Sequence, residues 1–115
     1  MPDGSLTGMD WFDRAPLLAI DCETTGPDPT RDRAVSWAAV DCRPGAEPRD
    51  AVPDPLVCHP GAEALPVPDE AAAIHGITTG RAESSEVGEG QAALLVAGAI
   101  ARALRAGAMV VGGNV

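Results

Sequence analysis

Residues 17–26 have the sequence LLAIDCETTG, a short apolar run that ends abruptly in two acids and a turn-forming Thr-Thr-Gly. The apolar part, Pro16 to Cys22, predicts a central strand buried on both faces. Residues i and i+2 of a strand share a face, so Asp21 and Glu23 point to one side and Cys22 to the other. Hard oxygen ligands on one side of a strand end suit Mg²⁺ or Mn²⁺. A lone D-x-E pair also occurs by chance as two solvated acids, so a metal site needs the support of other motifs.

The composition predicts one small acidic domain with a core of small apolar residues. The chain has 115 residues and is 45% hydrophobic, but it contains one Phe, two Trp and no Tyr. A core would therefore depend on Val, Leu, Ile and Ala. All eight basic residues are Arg and the net charge is −9, which argues against a broad basic face for nucleic acid. An enzyme that meets phosphate through bound metal ions remains compatible, because the ions supply the positive charge.

The sequence predicts a cytoplasmic protein without a membrane partner. The first ten residues, MPDGSLTGMD, lack the basic and apolar regions of a signal peptide. The longest apolar stretch, residues 92–101, is too short to cross a bilayer and is followed by Arg102 and Arg105. Three cysteines without C-x-x-C spacing are predicted to be buried, reduced thiols, and these are Cys22, Cys42 and Cys58.

Two further strands are predicted in the first half of the chain. Residues 33–42, RAVSWAAVDC, have the composition of a second strand, and residues 56–60, LVCHP, that of a short third strand. Pro, Gly and Asp are frequent in residues 26–32 and 43–55, which are predicted to be loops. Residues 61–80 are also predicted to be mostly loop.

The second half is predicted to contain a short helix, a long helix and a last strand. The short helix covers residues 69–74, with Asp69 as its cap and Gly76 as its stop. The long helix covers residues 91–106, where four apolar residues recur at helical spacing: Leu94, Ala97, Ala101 and Leu104. A strand at residues 108–111 follows. Three strands, a helix and a further strand predict a mixed α/β sheet that opens with an antiparallel meander.

Three segments resemble one family of nucleases. LAIDCETTG, residues 18–26, resembles the first motif, D-x-E-T-T-G, of the DnaQ-like (DEDD-type) 3′–5′ exonucleases, the family of the proofreading epsilon subunit of bacterial DNA polymerase III. LVCHPGAEALPVPDEAAAIHGITTG, residues 56–80, resembles the following segment of that family. MVVGGNV, residues 109–115, resembles the start of its second motif. Order and spacing agree from Leu17 to Val115, nearly the whole chain.

The resemblance implies a ribonuclease H-like fold and assigns roles to individual residues. Asp21 and Glu23 match the catalytic carboxylates that bind two Mg²⁺ or Mn²⁺ ions. Asn114 matches the asparagine that opens the second motif. Contacts with the substrate nucleotide are implied at four positions, which are Thr24, Thr25, Glu70 and His75.

Each residue implied to contact the substrate also fits a purely structural role. Thr24 and Thr25 fit an ordinary transition from strand to turn. His75 could hold a loop together through a backbone hydrogen bond. Glu70 could be no more than a favourable acid at the start of a helix. The sequence leaves these alternatives open.

The activity implied for the intact domain is hydrolysis of phosphodiester bonds from the 3′ end of single-stranded DNA or RNA. Residues 1–115 match the N-terminal part of a single exonuclease domain, because the family's remaining aspartates and its general-base histidine fall beyond Val115. We therefore expect these residues alone to be inactive and the apolar row from Leu94 to Leu104 to lack partners. The alternative is a catalytically inactive, truncated or vestigial nucleotide-binding module. The sequence indicates neither a DNA or RNA preference nor a polymerase partner.

Overall fold

The computed structural model describes residues 15–112, which form one mixed α/β sheet and its covering helices. The strands are β1 (Leu17–Thr24), β2 (Ala34–Cys42), β3 (Arg49–Asp50), β4 (Leu56–Val57) and β5 (Met109–Gly112). The helices are α1 (Asp69–His75), α2 (Thr79–Glu83) and α3 (Glu89–Arg105), with a 3₁₀ turn at Ala62–Ala64. The strand order is β3-β2-β1-β5, and β4 also pairs with β2.

Strand β1 lies between two other strands of the sheet, as predicted. The prediction that it is buried on both faces was wrong, because Leu18 is buried but Ala19 is half-buried and Asp21 exposed on the other face. The strand pairs antiparallel with β2 and parallel with β5. The register with β2 runs from Leu17 opposite Cys42 to Glu23 opposite Ser36, and it shifts between Glu23 and Thr24. The irregularity in the pairing therefore lies directly after the second acid, and Thr24 then pairs with Ala34.

Helix α3 covers one face of the sheet through a row of small residues. The buried row is Ala92, Val96, Ala99 and Ala103, and it packs in one cluster with Leu18 and Ala39 of the central strands. The second apolar row of the helix lies on the opposite side, where Leu94 is 75% and Leu104 60% exposed. This row lacks partners among residues 15–112, as expected. No helix in that range has the length and apolar character needed to span a membrane.

Two predicted loops contain regular structure that the sequence did not indicate. Strand β3 lies inside residues 43–55 and pairs Arg49 with Asp41 and Asp50 with Val40. Its two residues are exposed, so no apolar alternation marks it. Helix α2 lies partly inside residues 61–80 and begins where the Thr78 hydroxyl accepts a hydrogen bond from the Arg81 amide, at 3.2 Å. Such a cap depends on one threonine and leaves little periodic signal.

The other boundaries differ from prediction by small amounts. The third strand shortens to β4, after which the Cys58 amide donates to the Val35 carbonyl at 2.9 Å and His59 bridges to Gly88. Helix α1 ends at Gly76 in the left-handed conformation, with φ of 76°, as predicted. The prediction that Asp69 caps α1 was wrong, because Pro68 occupies the cap position without a side-chain hydrogen bond.

Glu89 connects the start of α3 to the start of β2. Its Oε2 atom accepts a hydrogen bond from the backbone N–H of Ala34 at 3.1 Å, across 55 positions of sequence. Ala34 is only 8% exposed, so its amide has little access to water as a substitute partner. Glu89 Oε1 also lies 4.0 Å from Arg33 Nε. The carboxylate thus satisfies a buried amide next to the irregular point of the β1–β2 pairing.

We expect Glu89→Ala to lower the free energy of unfolding by about 1–3 kcal/mol, because it leaves a buried amide without an acceptor. Glu89→Gln should cost less, since the amide oxygen can still accept that hydrogen bond. Urea unfolding followed by circular dichroism measures both. The control is Glu86→Ala, which removes an equal charge from an exposed residue. Equal losses for Glu89→Ala and Glu86→Ala would contradict the assigned role.

Candidate active site

The two predicted metal-binding carboxylates lie side by side at the end of β1. Asp21 is opposite Ala38 and Glu23 is opposite Ser36, so both acids share one face and have small cross-strand neighbours. Asp21 is exposed and Glu23 half-buried. Neither carboxylate forms a hydrogen bond or an ion pair with another residue of the described range. The face therefore presents two uncompensated negative charges to the surroundings.

The donor chemistry of this pair fits a hard divalent cation but supplies only part of its coordination. Carboxylate oxygens are the ligands that Mg²⁺ and Mn²⁺ prefer. Asp54 lines the same cleft as Asp21 and Glu23, yet residues 15–112 contain no cluster of three His, Cys, Asp or Glu side chains able to hold an ion. Asp21 and Glu23 could thus supply two oxygen ligands to such a cation, and the described residues provide no third side chain beside them that completes a site.

The opposite face of β1 is chemically different. Cys22 points toward the α3 side, and burial, followed by the charges of Asp21 and Glu23, raises the pKa of its thiol. Burial likewise raises the pKa of the Cys58 thiol to about 11. All three cysteines are free thiols, as predicted, but only Cys58 is buried, whereas Cys22 and Cys42 are half-buried.

The loop that follows β1 is closed by a hydrogen-bond network around Asp32. Asp32 Oδ1 accepts from the Thr25 hydroxyl at 3.0 Å, and Oδ2 accepts from the Asp28 amide at 2.8 Å. The Thr25 hydroxyl also accepts from the Arg33 amide at 3.1 Å, and Thr25 is 1% exposed. Sequence reasoning missed Asp32, for which the only signal was its place in a Pro- and Asp-rich turn.

The hydroxyl groups of both threonines are used inside this loop. Thr24 Oγ1 donates to the Gly26 carbonyl at 2.8 Å, and Thr25 is committed to Asp32. These hydrogen bonds match the alternative of a strand-to-turn transition, and a contact with substrate remains a prediction for both residues. Neither hydroxyl can donate to a substrate unless its present bond breaks, whereas the Thr24 oxygen can still accept a hydrogen bond.

Gly26 permits the close approach of Asp32 to the loop. A Cβ atom at this position would lie 2.5 Å from Asp32 Oδ2, well inside van der Waals contact. The carboxylate that ties the loop together therefore needs a residue without a side chain at position 26.

We expect Gly26→Ala to displace the Asp32 side chain and break the loop network. The free energy of unfolding should fall by about 1–3 kcal/mol, the usual range for overpacking. Urea unfolding measures it, and Gly90→Ala is the matched control, because a Cβ there meets nothing within 4 Å. Helix propensity should make that control neutral or stabilising. A Gly26→Ala protein as stable as Gly90→Ala would contradict the contact.

Helix α1 faces this loop across an open cleft of about 650 Å³. The cleft is lined on the β1 side by Glu23, Thr24 and Gly26 and on the helix side by Glu70, Ile74 and His75. Ile74 is 84% exposed, so the wall includes accessible apolar surface. A second cleft of about 250 Å³ is lined by Asp21 together with Glu23 and His75. The carboxylate pair thus lies where the two clefts meet.

His75 reaches the site with both ring nitrogens already bonded. Nδ1 accepts from the Ile77 amide at 3.0 Å, and Nε2 lies 3.2 Å from the Thr24 carbonyl oxygen. Because Nδ1 is an acceptor, the neutral ring carries its proton on Nε2 and donates it to Thr24. The structure therefore brings together Asp21, Glu23, Thr24, Thr25, Glu70 and His75, while Asn114 lies outside the described residues.

A model of one protein family, described as Exonuclease, matches residues 18–114 of the chain. The chain belongs to this exonuclease family. The matched range includes every candidate residue of the site, from Asp21 to Asn114. A search of curated proteins gave no match.

Solved structures of exonuclease I share the fold of this exonuclease chain. Exonuclease I from Methylocaldum szegediense is 33% identical, with a TM-score of 0.54, over 87% of this chain and 20% of that one. A zinc-bound complex of E. coli exonuclease I with single-stranded DNA is 24% identical, with a TM-score of 0.54, over 88% of this chain and 21% of that one. The mixed sheet is thus that of a ribonuclease H-like exonuclease, and the chain spans about a fifth of the length of these enzymes.

Proposed function

We propose that these residues form the metal-binding part of a 3′–5′ exonuclease that hydrolyses single-stranded nucleic acid with two Mg²⁺ or Mn²⁺ ions. The observation that carries the proposal is the position of Asp21 and Glu23, which share one face, have no ion-pair partner among residues 15–112 and line a cleft that adjoins the larger one at Glu23. Membership of the exonuclease family supports hydrolysis of nucleic acid. The single-stranded DNA in the related E. coli exonuclease I complex supports that substrate class.

In this proposal Asp21 and Glu23 hold the cations. Bound metal ions would activate a water molecule and neutralise the charge that develops on the phosphate and the leaving oxygen. The β1–β2 pairing keeps the two carboxylates on one face. No basic side chain within residues 15–112 forms an ion pair with them, so their full negative charge is available for divalent ions. Further ligands and the general base would have to come from outside these two residues.

The larger cleft is proposed to hold the terminal nucleotide. Its volume of about 650 Å³ falls within the range of small-molecule sites. The exposed side chain of Ile74 offers an apolar surface for a base, and the Glu70 carboxylate would accept a hydrogen bond from a sugar hydroxyl. Arg31, which is 76% exposed at its side chain and lines the same cleft, would meet a phosphate.

We expect Asp21→Asn to reduce 3′-end degradation by at least about 100-fold, because the change removes both a ligand and a negative charge from the metal site. The variant should remain folded, since Asp21 is exposed and bonds to no other side chain in residues 15–112. The assay follows release of mononucleotides from a labelled single strand by the protein encoded by the complete reading frame. Calorimetry with Mn²⁺ should show weakened binding.

The control for this experiment is Asp50→Asn, which removes an equal charge from an exposed residue that lines neither cleft. Undiminished degradation by Asp21→Asn would refute the metal-site assignment. Mn²⁺ binding that depends on Asp21 without any turnover by the unmodified protein would instead support a nucleotide-binding module.

Residues 1–115 alone are expected to release no mononucleotides. Two carboxylates can hold one divalent ion loosely, with water in the other positions, but they cannot fix a second ion about 3.5–4 Å away. The comparison is with a chain extended through the family's second and third motifs, incubated with a 3′-labelled single strand and Mn²⁺. Metal-dependent release by the short form, abolished by Glu23→Ala, would show that the added residues are not required.

A further inference from the structure

His75 is anchored on its helix side by a tight turn. Gly76 follows it in the left-handed conformation, which lets the chain reverse so that the Ile77 amide donates back to Nδ1 at 3.0 Å. Ile77 is 5% exposed and belongs to a buried cluster with Val35 and Ala82. The imidazole ring is thus oriented by a segment that is itself held in the core.

The other ring nitrogen crosses the cleft to β1. The Nε2–H group donates to the Thr24 carbonyl at 3.2 Å, over 51 positions of sequence. This hydrogen bond joins the last residue of α1 to the last residue of β1. The two clefts share His75 and Glu23 in their linings, so this bond lies at the centre of the site rather than at its margin.

The accepting carbonyl belongs to the residue directly after Glu23. The β1–β2 register shifts between Glu23 and Thr24, and such an irregularity leaves part of the backbone without its usual ladder partner. Pairing resumes past the irregularity, with Thr24 opposite Ala34 and the Thr25 amide donating to the Arg33 carbonyl at 2.9 Å. The hydrogen bond from His75 therefore restrains the main chain at the irregularity itself, directly after Glu23.

We propose that His75 is a positioning residue that sets the orientation of the Glu23 carboxylate by holding the Thr24 carbonyl. This inference rests on the proposed metal-dependent function. It differs from the substrate contact that the resemblance implied, because neither ring nitrogen is available to a nucleotide while both bonds are made. His75 acts in this way on the metal ligand and through it on the reaction, without touching the reacting atoms.

Two substitutions separate the two hydrogen bonds of the ring. The side chain of His75→Asn places an oxygen near the position of Nδ1 and can accept from Ile77, but it does not reach Thr24. The side chain of His75→Gln places an N–H donor near the position of Nε2 and can donate to Thr24, but it offers no acceptor at the position of Nδ1. Each variant keeps one of the two bonds, so their stabilities should be similar and thermal unfolding provides the check.

The measurements are the Mn²⁺ dissociation constant without substrate, and kcat and KM for a 3′-labelled single strand, with the protein from the complete reading frame. His75→Asn should weaken Mn²⁺ binding about tenfold and lower kcat, as the loss of a residue that orients a ligand does. His75→Gln should stay close to the unmodified protein in both. KM should change little in either variant.

A rise in KM alone, with Mn²⁺ affinity unchanged in His75→Asn, would overturn the inference in favour of direct substrate contact. Equal effects of the two variants would also overturn it. If either variant fails to fold, nitrogen-15 NMR of the unmodified protein decides, because a proton on Nδ1 rather than Nε2 would contradict the bond to Thr24. Asp21→Asn separates the two proposals: unaltered metal binding there refutes the metal site itself, whatever the His75 variants show.

Discussion

The antiparallel pairing of β1 with β2 is the constraint on which both the fold and the site depend. Its register places Asp21 and Glu23 on one face of the sheet and turns Leu18 and Ile20 toward α3. A slip of one residue would exchange the two sets, so that carboxylates would enter the apolar cluster and leucine and isoleucine would face the clefts. The alternation that excludes this slip is the same alternation that brings together the two proposed metal ligands, so folding and the candidate site depend on one pattern.

The electrostatics of the cleft explain why an acidic chain can belong to a nuclease family. Glu23, Asp32 and Glu70 line the larger cleft, with Arg31 as the cation among its lining residues, and the whole chain carries a net charge of −9. A phosphate approaching this surface is repelled unless cations are already present. Asp32 is partly shielded because it accepts hydrogen bonds from Thr25 and Asp28. Under the proposed function, the remaining carboxylates would make binding of nucleic acid dependent on prior binding of metal ions.

The sequence predicted those features that depend on a repeating pattern or on the backbone conformation of one residue. The period of two predicted the shared face of Asp21 and Glu23, and the need for a left-handed residue predicted the end of α1 at Gly76. The sequence did not predict features that depend on a few polar contacts, such as the Asp32 network and strand β3. The bond from His75 Nε2 to the Thr24 carbonyl spans 51 positions of sequence, and nothing in the local sequence determines that these two atoms meet.

The row that α3 turns toward the sheet consists of three alanines and one valine. Side chains this short let a helix lie close to the strands beneath it, so the apolar layer between helix and sheet is thin and contains little side-chain volume. Truncating one of these residues would remove at most a few methyl groups. Enlarging one would push the helix away from the strands, because the short side chains of this row set the distance between helix and sheet. This interface is therefore far more sensitive to added bulk than to lost bulk, the reverse of a core built from leucine and phenylalanine.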